Sequence, residues 1–406
     1  MTDLAPQDEG VVVAEGTIPP DDFHAAVERI VEVADDQLEI PADFSDRLDA
    51  IAAEMLVDRT LLDEVANALT VDNVVLQGPP GTGKTSLARR IARAFGVELV
   101  VATAHPEWTT YDLIGRQELR VHDGAEEMVP VNGFFTEAVI RCAGNIVRHQ
   151  DDENEPQAVW LFIDELNRAH LDRAFGELFT VLGTDEGSAV DLAYQRQGNR
   201  SLAVPRRFRI VASLNSIDRQ YVNTLSQALR RRFSFVTVDV PPKRPEGSEW
   251  SVDPPPGSSL AIAELPMVLK AAAERIVEKV EGHGAGENEA MLKEDPQPLY
   301  ELFELISQLR NGDGTETPYL PIGTATLIDI VELYAAGLIH GGAEPADRGP
   351  VLDWAAAIKL APLFEAETLD PKLLGSFVDG LAETFRGRFG HELKVVQAAG
   401  LYAVPE

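Results

Sequence analysis

The sequence predicts an α/β fold built on a parallel sheet, followed by a second, mainly helical domain. Three observations carry this expectation. Short apolar, strand-like runs alternate with stretches of helical spacing, and parallel pairing suits such alternation because each helix returns the chain to the same end of the sheet. A glycine-rich turn directly follows the first of those runs, and beyond residue 260 the runs are helical.

Residues 1–20 mix acids, proline and glycine without a period and are expected to form a disordered acidic tail. In DDFHAAVERIVEVADDQL (21–38), Phe23, Val27, Ile30 and Val33 share one helical face, and Asp21 or Asp22 can cap it, so an N-terminal helical extension is expected over 21–58. Helical spacing continues through Ile51, Met55, Leu61, Val65 and Leu69 into the short apolar strand VDNVVLQ. Further strands are predicted at ELVVATA (98–104), AVWLFID (158–164), FRIVASLN (208–215) and FSFVTVDV (233–240), which defines a core over 59–245. The run VPPKRPEGSEWSVDPPPGSS (240–259) breaks the pattern and places a boundary near residue 245, with the helical domain over 246–406. Within it, EGHGAGENEAMLKEDPQ (281–297) reads as a loop.

Composition limits the function classes. The chain has 406 residues, enough for two domains, with 35 basic against 67 acidic side chains and a net charge of −32. Such an acidic, lysine-poor surface stays solvated where salt screens self-repulsion, the situation in a halophile's cytoplasm. Residues 1–60 alone hold 16 acids against 3 bases, an outer face suited either to an adaptor or simply to water. No apolar run reaches the ~18 residues of a membrane span, and the acidic N-terminus MTDLAPQDEG is unlike a signal peptide, so a cytoplasmic location is expected. The single cysteine, Cys142, shares helical spacing with Val139, Ala143 and Ile146 and is expected in the core. His105 and His170 lack a second ligand at metal spacing.

The chemistry concentrates in LQGPPGTGKTSLARRIA (76–92). Gly78, Pro79, Pro80, Gly81, Thr82, Gly83, Lys84 and Thr85, followed by Ser86, fit G-x-x-x-x-G-K-[ST] between a strand and an amphipathic helix. Glycines let backbone N–H groups close around phosphate, Lys84 reaches the outer phosphates, and the Thr85 hydroxyl holds Mg²⁺. Lys84 is the only lysine in the first 242 residues. A compact ammonium on a flexible stem sits among phosphate oxygens where a planar guanidinium does not fit.

VWLFIDE (159–165) is a buried-strand pattern ending in two carboxylates. Asp164 is placed to hold Mg²⁺ through water, and Glu165 to orient and deprotonate an attacking water. Asn215 ends another strand and reaches towards the same water or the γ-phosphate, or else merely turns the chain. Arg230, Arg231 and Arg232 precede the last strand; they are either a solvated face or arginines supplied to a neighbour's nucleotide.

Together GPPGTGKT, WLFIDELNR, SLNSIDR and ALRRRF resemble the AAA+ ATPases, most closely the MoxR and McrB-like branch with its dynein-related AAA domains. YDLIGR (111–116) looks like the opening of that branch's helix-2 insertion, and DWAAAIKLAPLFE (353–365) like its lid. The resemblance implies a P-loop core with a helical lid that binds ATP, or GTP, with Mg²⁺. It implies sensor 1 at Asn215, an arginine finger and its neighbour at Arg231 and Arg232, and an acidic coupling position at Asp218. Ser226 stands where McrB-like proteins carry an acid, and Thr324 near the place of a sensor 2 arginine. Trp108 and Tyr111 are either pore residues or packing. A homo-oligomeric, hexameric ring is implied, working on a protein partner: a von Willebrand A-type protein for a MoxR-like remodeller, or a nuclease subunit acting on DNA for a McrB-like motor.

Overall fold

The protein, seen here as a computed structural model, is described for residues 11–12, 30–122, 125–176, 178–182, 189–196, 199–215, 227–341, 348–365 and 370–402. It divides into two compact units: Met1–Gly78 with Lys84–Val238, and Pro79–Gly83 with Asp239–Glu406. The division thus falls a few residues before the boundary expected near 245, and the turn Pro79–Gly83 groups with the second unit.

The first unit begins with β1 (Val11–Val12), a two-residue strand within the stretch expected to lack regular structure. Of the predicted 21–38 helix, residues 30–33 are described as helical, with Ile30 and Val33 buried. The helical spacing that follows resolves into α1 (Phe44–Glu54) and α2 (Arg59–Val71). The break occurs because Asp58 is extended and its carboxylate accepts the Thr60 N–H at 2.8 Å, capping a new helix. Then come β2 (Asn73–Gly78), α3 (Lys84–Ala94), β3 (Val97–Thr103) and the short α4 (Thr110–Leu113). An antiparallel hairpin of β4 (Gly115–His122) and β5 (Ala125–Asn132) leads to α5 (Phe134–Asp151), β6 (Ala158–Asp164) and α6 (Leu171–Phe175). A second hairpin, β7 (Ala189–Arg196) with β8 (Asn199–Ala203), precedes β9 (Ile210–Asn215), α7 (Gln227–Arg230) and β10 (Phe233–Thr237).

Six strands form one parallel sheet in the order β1-β3-β6-β9-β2-β10. All five strands predicted from the sequence are in it. Val74–Leu76, Val159–Ile163 and Ile210–Ala212 are buried without alternation, as expected where helices cover both faces. Leu48, Ile51, Leu62, Val65 and Leu69 join the same core, so the N-terminal helices are an integral layer of this unit. Trp108, one of the two pore candidates, is 1% exposed and packs against Phe134 and His105; it is core. Tyr111 is 56% exposed. A cavity of about 700 Å³ opens at the amino ends of β3 and β6, between Glu39–Ala42 and Glu153–Gln157. It lies at the end of the sheet away from Asp164.

The second unit contains α8 (Leu260–Val277), α9 (Ala285–Lys293), α10 (Gln297–Arg310), α11 (Thr324–Gly341), α12 (Arg348–Leu360), α13 (Pro371–Gly380) and α14 (Arg388–Tyr402). The segment 281–297, expected as a loop, contains α9. Its Leu292 and Asn288 are buried, and the Asn288 amide donates to the Ala273 carbonyl of α8 at 3.4 Å, so tertiary packing overrides a glycine-rich lead-in. Across this helical core runs a fully buried ion pair. Arg310 grips Glu264 with two parallel hydrogen bonds of 2.6 and 2.8 Å and donates its Nε to the Ile322 carbonyl at 2.7 Å. No helix among the described residues is long and apolar enough to cross a membrane.

Two outcomes follow from these cores. Burial pushes the Cys142 thiol up to about 12, so its thiolate is present at only about one part in ten thousand at pH 8. Iodoacetamide should leave the folded protein unmodified at that pH and label it stoichiometrically in denaturant; labelling without denaturant would show an exposed thiol. Glu264→Leu strands the buried Arg310 charge and should cost about 3–5 kcal/mol in urea unfolding, with much of the loss recovered in the Glu264→Leu/Arg310→Leu double variant.

Candidate active site

Strands β6, β9 and β2 are neighbours, and their carboxyl ends gather most of the residues singled out in the sequence. Gly78 closes β2 and stands in register opposite Asn215, which closes β9. Asp164 closes β6, one residue beyond the Ile163–Ala212 pair. Ligands of parallel sheets bind beyond such ends.

The turn after β2 is shaped by its glycines. A Cβ on Gly78 would fall 2.0 Å from the Val238 carbonyl oxygen, so no larger residue fits. Gly81 and Gly83 have φ of 75° and 82°, a region that disfavours ordinary side chains. The Thr82 hydroxyl donates to the Pro79 carbonyl at 3.0 Å and braces the turn. Pro79 is buried and Pro80 exposed. Helix α3 starts at Lys84, so the positive end of its dipole and its unsatisfied first N–H groups lie at the turn. Lys84 is 6% exposed, and its ammonium donates to the Gly78 carbonyl at 3.0 Å. Ser86, which follows the motif, is exposed on α3.

Two oxygens converge at the start of α3. The Thr85 hydroxyl donates to Asp164 Oδ2 at 3.2 Å, joining the start of α3 to the end of β6. Oxygen donors of this kind suit Mg²⁺, and the pair is the place where such an ion fits. Among the described residues there is no cluster of three or more histidines, cysteines or carboxylates able to hold a metal unaided. An ion here would therefore need further oxygens from its ligand.

Glu165 has φ 54° and ψ 46°, and is the only non-glycine residue with positive φ among those described. That conformation costs roughly 1–2 kcal/mol. Its N–H is held by Ser213 Oγ at 2.9 Å and Asp164 Oδ1 at 3.1 Å. The Ser213 hydroxyl in turn donates to Asp164 Oδ1. The Glu165 carboxylate forms an ion pair with Arg168, three residues on.

Sequence reasoning missed Ser213 and the pairing role of Arg168. A signal for Ser213 was available: it is a lone hydroxyl in an apolar strand, two residues before Asn215, and so on the same face of β9.

Arg231 and Arg232 are not brought to this edge. They follow α7 and precede Phe233, which pairs with Asn73 at the amino end of β2, five residues before Gly78. At about 3.3 Å per residue the two ends are roughly 16 Å apart. Arg230 and Arg231 are exposed, whereas Arg232 is half-buried with its guanidinium 5.5 Å from the centre of the Phe179 ring. Thr324, near the expected sensor 2 position, donates its hydroxyl to the buried Glu264 carboxylate at 2.7 Å. In the same unit the Ala325 N–H donates to the Gly81 carbonyl at 3.1 Å. Asp218 and Ser226 lie outside the described residues.

Residues 73–233 match the family model described as AAA domain (dynein-related subfamily). The chain is 29% identical over 194 residues to the type IV methyl-directed restriction enzyme EcoKMcrB subunit of Escherichia coli (strain K12), covering 46% of this chain and 39% of that one. It is 28% identical over 168 residues to protein NorQ of Paracoccus denitrificans (strain Pd 1222), covering 41% and 53%. A third relative, the denitrification regulatory protein NirQ of Stutzerimonas stutzeri, is 26% identical over 173 residues, covering 43% and 54%. The chain thus spans about two-fifths to one-half of the length of these relatives. The matched stretch runs from the first residue of β2 to the first of β10 and contains the Gly78–Ser86 segment, Asp164, Glu165, Ser213 and Asn215, so over residues 73–233 this chain is similar to the dynein-related subfamily of AAA domains.

Proposed function

We propose that the chain is an ATP-hydrolysing motor, active as a homo-oligomeric, hexameric ring that remodels a partner protein or complex. The observation that carries this reading is the meeting of Lys84 and Thr85, at the start of α3, with Asp164 and Glu165 at one sheet edge.

In this reading the N–H groups of Gly81, Gly83 and the start of α3 cradle the phosphates, and Lys84 exchanges its Gly78 carbonyl contact for phosphate oxygens. Thr85 and Asp164 would hold Mg²⁺, which when bound neutralises charge on the phosphate oxygens. Glu165 orients water and takes its proton, after its carboxylate leaves Arg168. Asn215, opposite Gly78, fixes the water from the neighbouring strand. Arg231 is the finger offered to another copy: it is exposed and sits at the wrong end of its own sheet for its own nucleotide. Arg232 anchors that segment on Phe179.

A protein partner, such as a von Willebrand A-type protein, suits a sequence in which no DNA-reading domain, zinc-ligand spacing or basic patch is recognisable. A second reading rests on the match to the restriction-enzyme subunit: a motor using ATP or GTP with a separate nuclease subunit, touching DNA only through it. Purification of Glu165→Gln with its bound proteins separates the two. Enrichment of a nuclease subunit with protected DNA supports the second, and a non-nuclease partner without DNA supports the first.

Lys84→Ala should abolish ATP binding measured by calorimetry, while Glu165→Gln should bind normally and lose turnover by about a hundredfold or more. Unchanged affinity in the first variant would remove the turn from the mechanism. Arg231→Ala should bind ATP without hydrolysing it, and mixing it with Glu165→Gln should restore activity to about a quarter of the sites, as random assembly of a shared site requires. Two inactive variants that stay inactive when co-assembled would show that each chain works with its own arginine.

A further inference from the structure

We infer that Ser213 is a positioning residue for hydrolysis, one that sets Asp164 and Glu165 as a single unit; this rests on the proposed assignment of that pair to Mg²⁺ and water activation. Ser213 lies inside β9, is 2% exposed and is surrounded by apolar strand residues. A hydroxyl has one proton to give and lone pairs to accept with. Here the proton goes to Asp164 Oδ1, and a lone pair takes the Glu165 N–H at 2.9 Å.

Two consequences follow. Asp164 Oδ1 receives both the Ser213 hydroxyl and the Glu165 N–H, so its hydrogen bonding is directed inward and Oδ2 is the oxygen presented to Thr85. The hydroxyl thereby leaves Oδ2 as the carboxylate oxygen that would be available, beside Thr85, to hold a cation. The same hydroxyl also holds the backbone of Glu165 in its left-handed conformation, which aims the carboxylate side chain of a residue that would otherwise relax to an extended or right-handed form. Neither consequence involves Ser213 touching substrate.

The test uses the full-length chain and the variants Ser213→Ala, Ser213→Cys and Ser213→Thr. Alanine removes the hydroxyl, cysteine keeps the volume with a weak donor, and threonine restores the hydroxyl. In the first two, kcat for ATP should fall about tenfold, the effect of losing one charge-assisted hydrogen bond, with KM within about twofold. A second readout is independent of turnover: the gain in ADP affinity on adding Mg²⁺, measured by calorimetry, should shrink about fivefold in both. Threonine should return both quantities to within about twofold of the unmodified protein. If Ser213→Ala fails to fold, the cysteine variant carries the measurement.

Normal kcat and normal Mg²⁺ dependence in the cysteine variant would overturn the inference. So would a threonine variant as impaired as the alanine one, since that pattern means packing. Lys84→Ala and Glu165→Gln are run alongside. If turnover survives both, hydrolysis occurs elsewhere and the proposed function falls together with this inference; if both behave as expected and the Ser213 variants are normal, only the role of Ser213 falls.

Discussion

The active site depends on the parallel register of three strands. Because β6, β9 and β2 run the same way and end together, Asp164, Ser213, Asn215 and Gly78 are delivered to one edge by main-chain hydrogen bonding, before any side chain chooses a rotamer. A shift of one residue in the β6–β9 pairing would turn Ser213 to the opposite face and leave the Glu165 N–H without its hydroxyl acceptor. The buried runs of β6 and β9 allow no such slip, since both faces are covered and a shift would drag polar ends into the core. Stability and geometry therefore share one cause. The apolar strands fix the sheet, and the sheet fixes the chemistry at its rim.

Against that rim, the glycines of the turn and the left-handed Glu165 are the two places where the backbone leaves ordinary conformations. They do so for different reasons. Gly78 yields space to Val238, and Gly81 and Gly83 reverse the chain, so nothing there is strained. In its proposed role Glu165 needs its carboxylate and so cannot be glycine; its conformation must be held by neighbours. Ser213 and Asp164 supply that hold, and these bonds satisfy a hydroxyl buried in an otherwise apolar strand.

The sequence made most of this site legible, and the limits are physical. Strands β2, β3, β6, β9 and β10 were readable because complete burial leaves unbroken apolar runs, and the turn because glycine, lysine and threonine have few substitutes at a phosphate. The hairpins β4–β5 and β7–β8 were not, because GRQELRVH, AEEMVPVN and AYQRQGNR carry charge and polarity suited to water, and only pairing across the turn makes them strands. Helix α9 was hidden by the glycines before it, since its stability comes from packing on α8. The sequence pattern also ranked Arg231 and Arg232 alike. Their difference lies in Phe179, more than fifty residues away in the chain, over whose ring Arg232 sits.

The arginines also show why a chain with a nearly complete site argues for an assembly. Phosphoryl transfer needs positive charge on the side of the γ-phosphate away from the cradle, where charge builds up as the bond breaks. At the edge formed by β6, β9 and β2, the cations placed among the described residues of the first unit are Lys84, which donates to the Gly78 carbonyl, and Arg168, committed to Glu165. The exposed Arg231 stands at the amino end of β10, at the opposite end of the same sheet. Opposite ends of one rigid parallel sheet cannot be brought together by side-chain motion, since even an extended arginine reaches only about half of that roughly 16 Å separation. The proposed head-to-tail arrangement of copies would solve the problem, because it sets the amino-end arginines of one against the carboxyl-end carboxylates of the next, and such heterologous contacts close into a ring when the rotation between copies allows it. The polarity that makes the strands deliver Asp164 and Glu165 to one end is thus the same polarity that sends Arg231 to the other, and under the proposed function it makes hydrolysis depend on a neighbour.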